Sequence, residues 1–408
     1  MPRIRSYHLY LPHVQIDTGS NMRLLYALRI VRDFVSKFSF FFLPIYLFEL
    51  GQTVRWFDSW QLSTMQQGMM MLALFFIIMR TLAFLLGVPT GRFLAKIGYQ
   101  KGLVLGSVMQ ALSFVTLYAT QQQPMLIFVA MLTEAIQLNL FWNSFHTVLS
   151  KSMIRTRVGQ DLSTIQFMLQ LLSAVIPAIS GALALAFGFN VLFLVGILGT
   201  LVSALFALNL KLGKEHDQVS WGEFWQWLSE PSYRRLSLSF IGRYANDTML
   251  FVWPLYVFLI FGSIEKVGFL YTLSLFLALV VTFFTGFYLT TTNSRKPFFL
   301  SGSFLSLLWF LRMQVITPWA IAFVDTADKL AANFHWLYFD SLFMRRGKGH
   351  QALSYFVYRE MVMSVGGVVF WMVFALVFLF SQLGWNTLFV LAAVGVLLSL
   401  LVRDTSHE

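Results

Sequence analysis

Twelve runs of apolar residues dominate this chain, most of them near the length of about 20 residues that crosses a hydrocarbon core of roughly 30 Å. They cover residues 23–49, 64–90, 102–121, 124–149, 161–186, 190–210, 233–261, 267–290, 297–316, 318–343, 352–380 and 384–402. Inside lipid every backbone N–H and C=O must find its partner within the protein, which leaves helices or closed barrels. Barrel strands would alternate apolar and polar residues over about ten positions per pass, and these blocks do not. The expected fold is therefore an all-α polytopic membrane protein of twelve transmembrane helices.

Composition agrees with that reading. Apolar residues make up 58% of the 408 and charged residues 12%, against about 25% charged in a soluble domain. A net charge of +11 is compatible with a nucleic-acid partner, but the placement of the charges argues against one. With the N-terminus in the cytoplasm, 19 of the 29 Lys and Arg fall in cytoplasmic tails and loops, and two, Arg55 and Lys266, fall on the opposite side. That is a positive-inside bias, and it places both termini in the cytoplasm of a cell membrane. Short loops and the lack of soluble domains suggest a bacterial inner membrane. The chain has no cysteine, which excludes disulfides, thiol catalysis and thiolate-ligated metals. Residues 1–22 are polar, lack the apolar core of a cleavable signal peptide, and read as a cytoplasmic tail.

The blocks repeat weakly at long range. FFLPIYLFELG (41–51) resembles FVWPLYVFLIFG (251–262), placing Pro44 over Pro254 and Tyr46 over Tyr256. GRFLAKIGYQK (91–101) sits over GFYLTTTNSRK (286–296). FWNSFHTVLSK (141–151) resembles HWLYFDSLFMR (335–345), placing Trp142 over Trp336, Phe145 over Phe339, Glu134 over Asp328 and His146 over Asp340. Three matches in the same order indicate a six-plus-six duplication, with halves at 23–210 and 233–403, a linker at 211–232 and a short tail at 404–408. In the linker, Ser220 and Glu223 have capping-box spacing. Trp221, Phe224, Trp225 and Leu228 then share one face of a short helix, with Trp227 at its margin. The helix is expected either to lie in the cytoplasmic interface or to anchor the foot of the seventh span.

These features resemble the major facilitator superfamily, a large family of secondary transporters. Its signature between spans 2 and 3 runs roughly Gly-x-x-x-Asp-Arg/Lys-x-Gly-Arg/Lys-Arg/Lys, and this chain has Gly91, Lys96, Gly98 and Lys101 there. Ala95 stands where the family has Asp, so the usual gating charge network is incomplete. Pro177 and Gly181 are similar to two positions of the antiporter signature, whose other glycines are missing. The resemblance implies two bundles around a central cavity lined by spans 1, 4, 7 and 10, working by alternating access.

An ionisable group at the centre of a bilayer costs at least roughly 2.5–3.5 kcal/mol, so it faces a cavity or a partner. Span 1 carries a polar stripe of Arg29, Arg32, Asp33, Ser36 and Lys37; span 7 carries Arg243, Asn246 and Asp247. Span 10 places Asp325, Asp328, Lys329, Trp336 and Asp340 on one face, and span 4 adds Glu134, Trp142 and His146. Three roles compete for these groups. They are interhelical salt bridges, or they bind a small polar or charged solute, or they carry protons. Asp33 is expected to be held ionised by Arg29 and Arg32, while Glu134 and Asp328 are the candidate proton carriers. Arg80 and Arg312 read as snorkelling groups near the two ends. Arg359 and Glu360 of span 11 point about 100° apart, which is taken to prevent their pairing with each other and to make them, with Gly91, Lys96, Gly98 and Lys101, an inner gate.

The function expected is a secondary transporter of a small polar or charged solute, with protons as the candidate coupling ion, working as a monomer in the lipid bilayer. Mixed charge suits an organic anion, a zwitterion or a peptide-like solute over an uncharged sugar. A lysolipid transporter of the same fold and a non-transporting receptor or scaffold are the alternatives. No catalytic constellation, metal site or cofactor motif is evident, so the chain is not expected to be an enzyme.

Overall fold

The computed structural model describes residues 20–153, 165, 168–212, 218–285, 296–347, 351–380 and 384–402. The repeat echo around Gly286 and Arg295, both tails as far as residue 19 and from residue 403, and the start of the fifth block lie outside these residues. Among the described residues there are helices and no strand. Twelve long helical units follow in chain order. The first six are α1 (Asn21–Val54), α2 (Thr64–Ile97), α3 (Tyr99–Ala119), α4 (Pro124–Ser152), α5 (Met168–Phe187) and α6 (Asn190–Leu208). The second six are α7 (Pro231–Phe261), α8 (Ile264–Thr285), α9 (Lys296–Arg312), α10 (Pro318–Arg346), α11 (Ala352–Leu379) and α12 (Trp385–Ser399). Between the sets lies the linker helix, Trp221–Ser229. Eight helices, α1 to α7 and α11, are long and apolar enough to cross a membrane by length and composition. In α10 every 18-residue stretch holds at least three charged residues.

Local chemistry sets several departures from uniform helix. α1 breaks at Phe41–Phe42, where Pro44 has no N–H to continue the ladder. α4 contains a π-helical turn at Leu138–Trp142, and such turns occur mostly as single inserts in α-helices, often at functional sites. α2 does not stop at residue 90 with the apolar run. It continues through the Gly91–Ile97 segment, so Lys96 lies on a helix end and not in a loop. It ends at Gly98, whose φ of +87° suits a residue without Cβ. Lys101 opens α3, and both lysines are exposed.

The two bundles are built alike. In the first, α3 packs on α4 and α6, and α1 on α6. In the second, α9 packs on α10 and α12, and α7 on α12. They meet along two seams, α2 with α11 and α5 with α8, which the repeat makes equivalent. The α2–α11 seam is aromatic at its heart, with Phe76 stacked on Trp371 at 4.5 Å. Within the second bundle, α7 and α12 touch backbone to backbone at Gly242 and Gly395.

The linker helix clamps the first seam at one end, called here the linker end. Phe84 of α2 meets Trp221 at 5.5 Å, and Arg92 Nε donates to the Val219 carbonyl at 2.9 Å. Gly91 is buried there beneath Val219 and Val357 of α11. The buried face differs from the expected one: Phe224 and Trp227 are inside, whereas Trp225 is 59% exposed. The helix docks on α2 and α11 through Phe224, and Trp227 stacks on Tyr233 at 4.8 Å. The cap also differs. Ser220 Oγ accepts from the Glu223 N–H at 3.2 Å, but the Glu223 carboxylate turns to the Tyr358 hydroxyl at 2.8 Å. That hydroxyl also accepts from the Ser220 N–H at 3.1 Å, taking the place of the glutamate.

A Cβ on Gly242 would lie 2.3 Å from the Gly395 carbonyl oxygen, whereas one on Gly222 would meet nothing. Gly242→Val should therefore lower the stability of the detergent-purified protein by about 1–3 kcal/mol. Gly222→Ala should leave it unchanged or raised; both are read from thermal unfolding midpoints.

Candidate functional site

The charges on α1 divide between two environments. On its more open side Asp33 is shared, its carboxylate lying 3.5 Å from Arg29 and 2.7 Å from Lys37, one turn to either side. Arg32 is buried and turns away to α3 and α4. Its Nη2 donates to the Gln110 and Gln137 side-chain oxygens at 2.6 and 2.5 Å. Those same amides donate onward to the two oxygens of Glu134, at 2.9 Å from Gln110 and 2.6 Å from Gln137. Two neutral glutamines thus join a buried arginine to a buried carboxylate. Asp33 is therefore paired with Arg29 and Lys37 instead of Arg29 and Arg32, and Glu134, which has no evident partner in the sequence, has its oxygens filled. Lys37 also donates to Ser173 of α5 at 2.6 Å.

In the second bundle the arrangement is inverted in sign. Arg243 is the shared group, 3.3 Å from Asp247 one turn along α7 and bonded through two nitrogens to both oxygens of Asp340 on α10. Deeper in, Arg312 of α9 is fully buried and donates to Asp325 at 3.0 Å and Asp328 at 3.2 Å. Trp253 donates to the second oxygen of Asp325 at 3.0 Å, and Trp309 covers the Arg312 guanidinium at 4.2 Å while donating to Asn246 at 2.9 Å. Lys329 lies 4.0 Å from Asp328. Arg312 does not snorkel: its side chain turns inward from the last turn of α9, and two carboxylates on α10 hold it there. Asp328 has Arg312 as partner beyond the neighbouring lysine.

Aromatic rings link the two clusters. Arg29 lies over Trp142 at 4.6 Å and Phe145 at 5.7 Å, and Arg243 over Trp336 at 5.1 Å and Phe339 at 5.3 Å. These are the ring pairs that the sequence repeat superposes, so the same arginine-on-aromatics unit occurs in each bundle. Between them runs a floor of rings, Trp142 on His146 at 5.5 Å, His146 on Phe343 at 5.7 Å, Phe343 on Phe240 at 5.7 Å and Phe240 on Phe339 at 5.9 Å. His146 is within electrostatic reach of Arg29, Arg243 and Arg359.

At the linker end α4 meets α10 and α11. Arg359 covers Phe343 at 4.5 Å and approaches His146 at 3.5 Å, while Ser150 donates to the Gly347 carbonyl at 3.3 Å. Glu360 reaches across the seam to Arg80 of α2 at 3.1 Å, so Arg80 is a paired mid-helix group instead of a snorkelling one. Arg359 and Glu360 do approach each other, at 3.7 Å. Their Cβ atoms diverge, but both side chains are long enough to curl towards one another. Gly91 packs against Val357 of α11 at this same end, while Lys96, Gly98 and Lys101 follow at the end of α2 and the start of α3.

Among the described residues no cluster of three or more metal-ligating side chains occurs. The glutamines, Trp309 and Tyr358 are participants that a search for charges does not find. Gln110 and Gln137 carry no charge, and only the demand that a buried arginine and glutamate each be satisfied would have pointed to them.

Residues 25–229 match the family model for the Major Facilitator Superfamily. The chain belongs to that superfamily. Comparison with curated protein sequences gives no match. Solved structures of the superfamily fold superpose over nearly the whole chain. The human organic anion transporter MFSD10 aligns at 14% identity and a TM-score of 0.68, covering 94% of this chain and 99% of its own. A bacterial homologue of the iron transporter ferroportin, in an outward-facing state, aligns at 12% and 0.65, covering 93% and 97%. The E. coli fucose:proton symporter FucP aligns at 13% and 0.63, with the same coverage. At such identities the likeness establishes the fold. The chain is a multi-pass membrane protein with the superfamily's two six-helix bundles, a divergent member of a transporter family.

Arg312→Ala should leave Asp325 and Asp328 buried without their cation. Removing one partner from a buried ion pair typically costs about 3–5 kcal/mol, so the variant should unfold at a markedly lower temperature or fail to accumulate in membranes. Asp247→Ala, at a 46% exposed carboxylate, should change the midpoint little.

Proposed function

We propose that the protein is a secondary active transporter of a small polar or charged solute, working by alternating access of its two bundles, with the solute held above the aromatic floor between Arg29 and Arg243. The observation that carries this reading is the repeated unit of a part-exposed arginine over a tryptophan and a phenylalanine, one in each bundle, on α1 with α4 and α7 with α10. Each guanidinium keeps N–H donors available for a carboxylate or phosphate, and the rings offer stacking faces. Asp33, Lys37, Asn246, Asp247, Asp340, Trp142 and Trp336 complete the proposed solute site. The deeper groups Arg32, Glu134, Asp325, Asp328 and Lys329 support it. The chemistry of the site favours solute binding over catalysis, because its carboxylates and cations are paired with one another and no nucleophile is activated among them.

Proton coupling is proposed at Glu134. A proton arriving on this carboxylate would break a hydrogen bond from Gln110 or Gln137 and so disturb Arg32 on α1. Protonation is thereby tied to the helix that carries Arg29. Asp328 is the equivalent position in the second bundle. The linker end is proposed to be cytoplasmic and to hold the inner gate, formed by His146, Arg359 and Glu360 with Arg80, and supported by Gly91, Lys96, Gly98 and Lys101. A cell-membrane location and function as a monomer accompany this reading.

Transport is tested by uptake into proteoliposomes with and without an inward proton gradient. Glu134→Gln should remove the dependence on the gradient while solute-dependent thermal stabilisation persists; an unaltered pH dependence would count against the assignment. Neutralising both Arg359 and Glu360, as Arg359→Gln with Glu360→Gln, should slow uptake more than it weakens binding. Wild-type uptake in the double variant would remove these residues from the gate.

A further inference from the structure

Charges in the two bundles cancel at depth and fail to cancel above the aromatic floor. In the first bundle Arg32 answers Glu134 through the two glutamines, leaving Asp33 to serve both Arg29 and Lys37. One positive charge is in surplus there. In the second, Arg312 and Lys329 answer Asp325 and Asp328, leaving Arg243 to serve both Asp247 and Asp340. One negative charge is in surplus among these groups, apart from Arg359, which lies over Phe343 and Phe240 of the floor. The surplus lies on the most open groups: Lys37 and Asp247 are 42% and 46% exposed, against 16% and 18% for the Asp33 and Arg243 they lean on. The two clusters are joined by the ring floor that runs from Trp142 through His146, Phe343 and Phe240 to Phe339.

We infer that the solute is a small zwitterion carrying a carboxylate and an ammonium group, with its acid end on Arg29 and Lys37 and its amine end on Asp247 and Asp340. This rests on the transport reading above and narrows it to a substrate class. A simple anion would answer the surplus on α1 and gain nothing from the extra carboxylate of the second bundle; a simple cation would do the reverse. A zwitterion answers both sites and adds no net charge to the membrane interior. The donor and acceptor counts agree, since an ammonium has three N–H donors for two carboxylates and a carboxylate has about four acceptor positions for a guanidinium and a lysine. Trp142 and Trp336 stand beside the respective arginines as walls for the carbon segment joining the two ends.

The test uses length-matched probes on the full purified chain: 2-aminobutanoate and 4-aminobutanoate, against butanoate and butylamine. Binding is read by thermal stabilisation at equal concentrations and by titration. At least one amino acid should bind about tenfold tighter than either single-charge analogue, the weight of one charge-assisted hydrogen bond. Asp247→Asn should erase that preference over butanoate, and Lys37→Gln should erase the preference over butylamine. Butanoate binding as tightly as the amino acids, or a preference that survives both substitutions, would overturn the assignment without recourse to any variant that failed to fold. Uptake of succinate and glucose by the same proteoliposomes separates the two levels. If either is carried while no amino acid binds, the zwitterion assignment falls and transport stands. If amino acids bind with the stated charge dependence but nothing is carried, transport falls and the site stands. Silence from every amino acid overturns the assignment in either case.

Discussion

Within the hydrocarbon there is no water to receive a charge, so each ionisable group must be answered by the protein itself. Much of this structure follows from that demand. Arg312 fixes α9 to α10 through two carboxylates, and Trp253 brings α7 to the same place by donating to Asp325. Arg32 ties α1 to α3 and α4 by way of Gln110 and Gln137. Guanidinium planes on aromatic faces do part of the same work, since Arg32 over Phe141 at 4.1 Å and Arg312 over Trp309 at 4.2 Å are solvated by rings on the side away from their hydrogen bonds. Buried ion pairs of this kind are weak sources of net stability but strong determinants of which helix faces which. Packing fills the space that these pairings define.

How much of this is legible from the chain depends on where each partner lies. The fold class follows from the apolar runs and the charge bias between their ends, and the polar stripes of α1, α7 and α10 follow from helical periodicity. Pairings within one helix, such as Asp33 with Lys37 or Arg243 with Asp247, are also readable, because one turn of helix sets their separation. Pairings between helices are not. Arg312 reads as a terminal snorkelling group until its two carboxylate partners on α10 are known. Gln110 and Gln137 leave no mark in a census of charges. The ends of helices are equally hidden: apolar runs stop near residue 90, but α2 continues to Ile97 because hydrogen bonding, unlike lipid burial, does not require apolar side chains. The π-helical turn in α4 leaves no periodic trace either.

The internal repeat has been kept where it serves geometry and lost where it serves charge. Trp142 and Trp336, with Phe145 and Phe339, carry their arginines in the same manner in each bundle. Glu134 and Asp328 are both buried acids answered by a buried arginine, directly in one bundle and through glutamines in the other. His146 and Asp340 have diverged. The first has become part of the stacked floor and the second a ligand of Arg243. The bundles are thus alike as scaffolds and opposite as electrostatic surfaces, a difference visible only when each charge is assigned its partner. Relatives of the same fold at 12–14% identity share that scaffold over nearly their whole length.

The seam between α2 and α11 has one further consequence. The contact of Arg80 with Glu360 spans the two bundles, whereas the pairs of Asp33, Arg243 and Arg312 each close within one of them. Most of the buried charge among the described residues is therefore carried with one bundle or the other. Tilting one against the other would slide Phe76 over Trp371 and exchange apolar neighbours for apolar neighbours, with the Arg80–Glu360 pair and a few hydrogen bonds such as Ser150 to Gly347 to stretch. The barrier to such rocking would then be set by shape and by what sits between the bundles, and a lone latch would suffice to bias which way they lean.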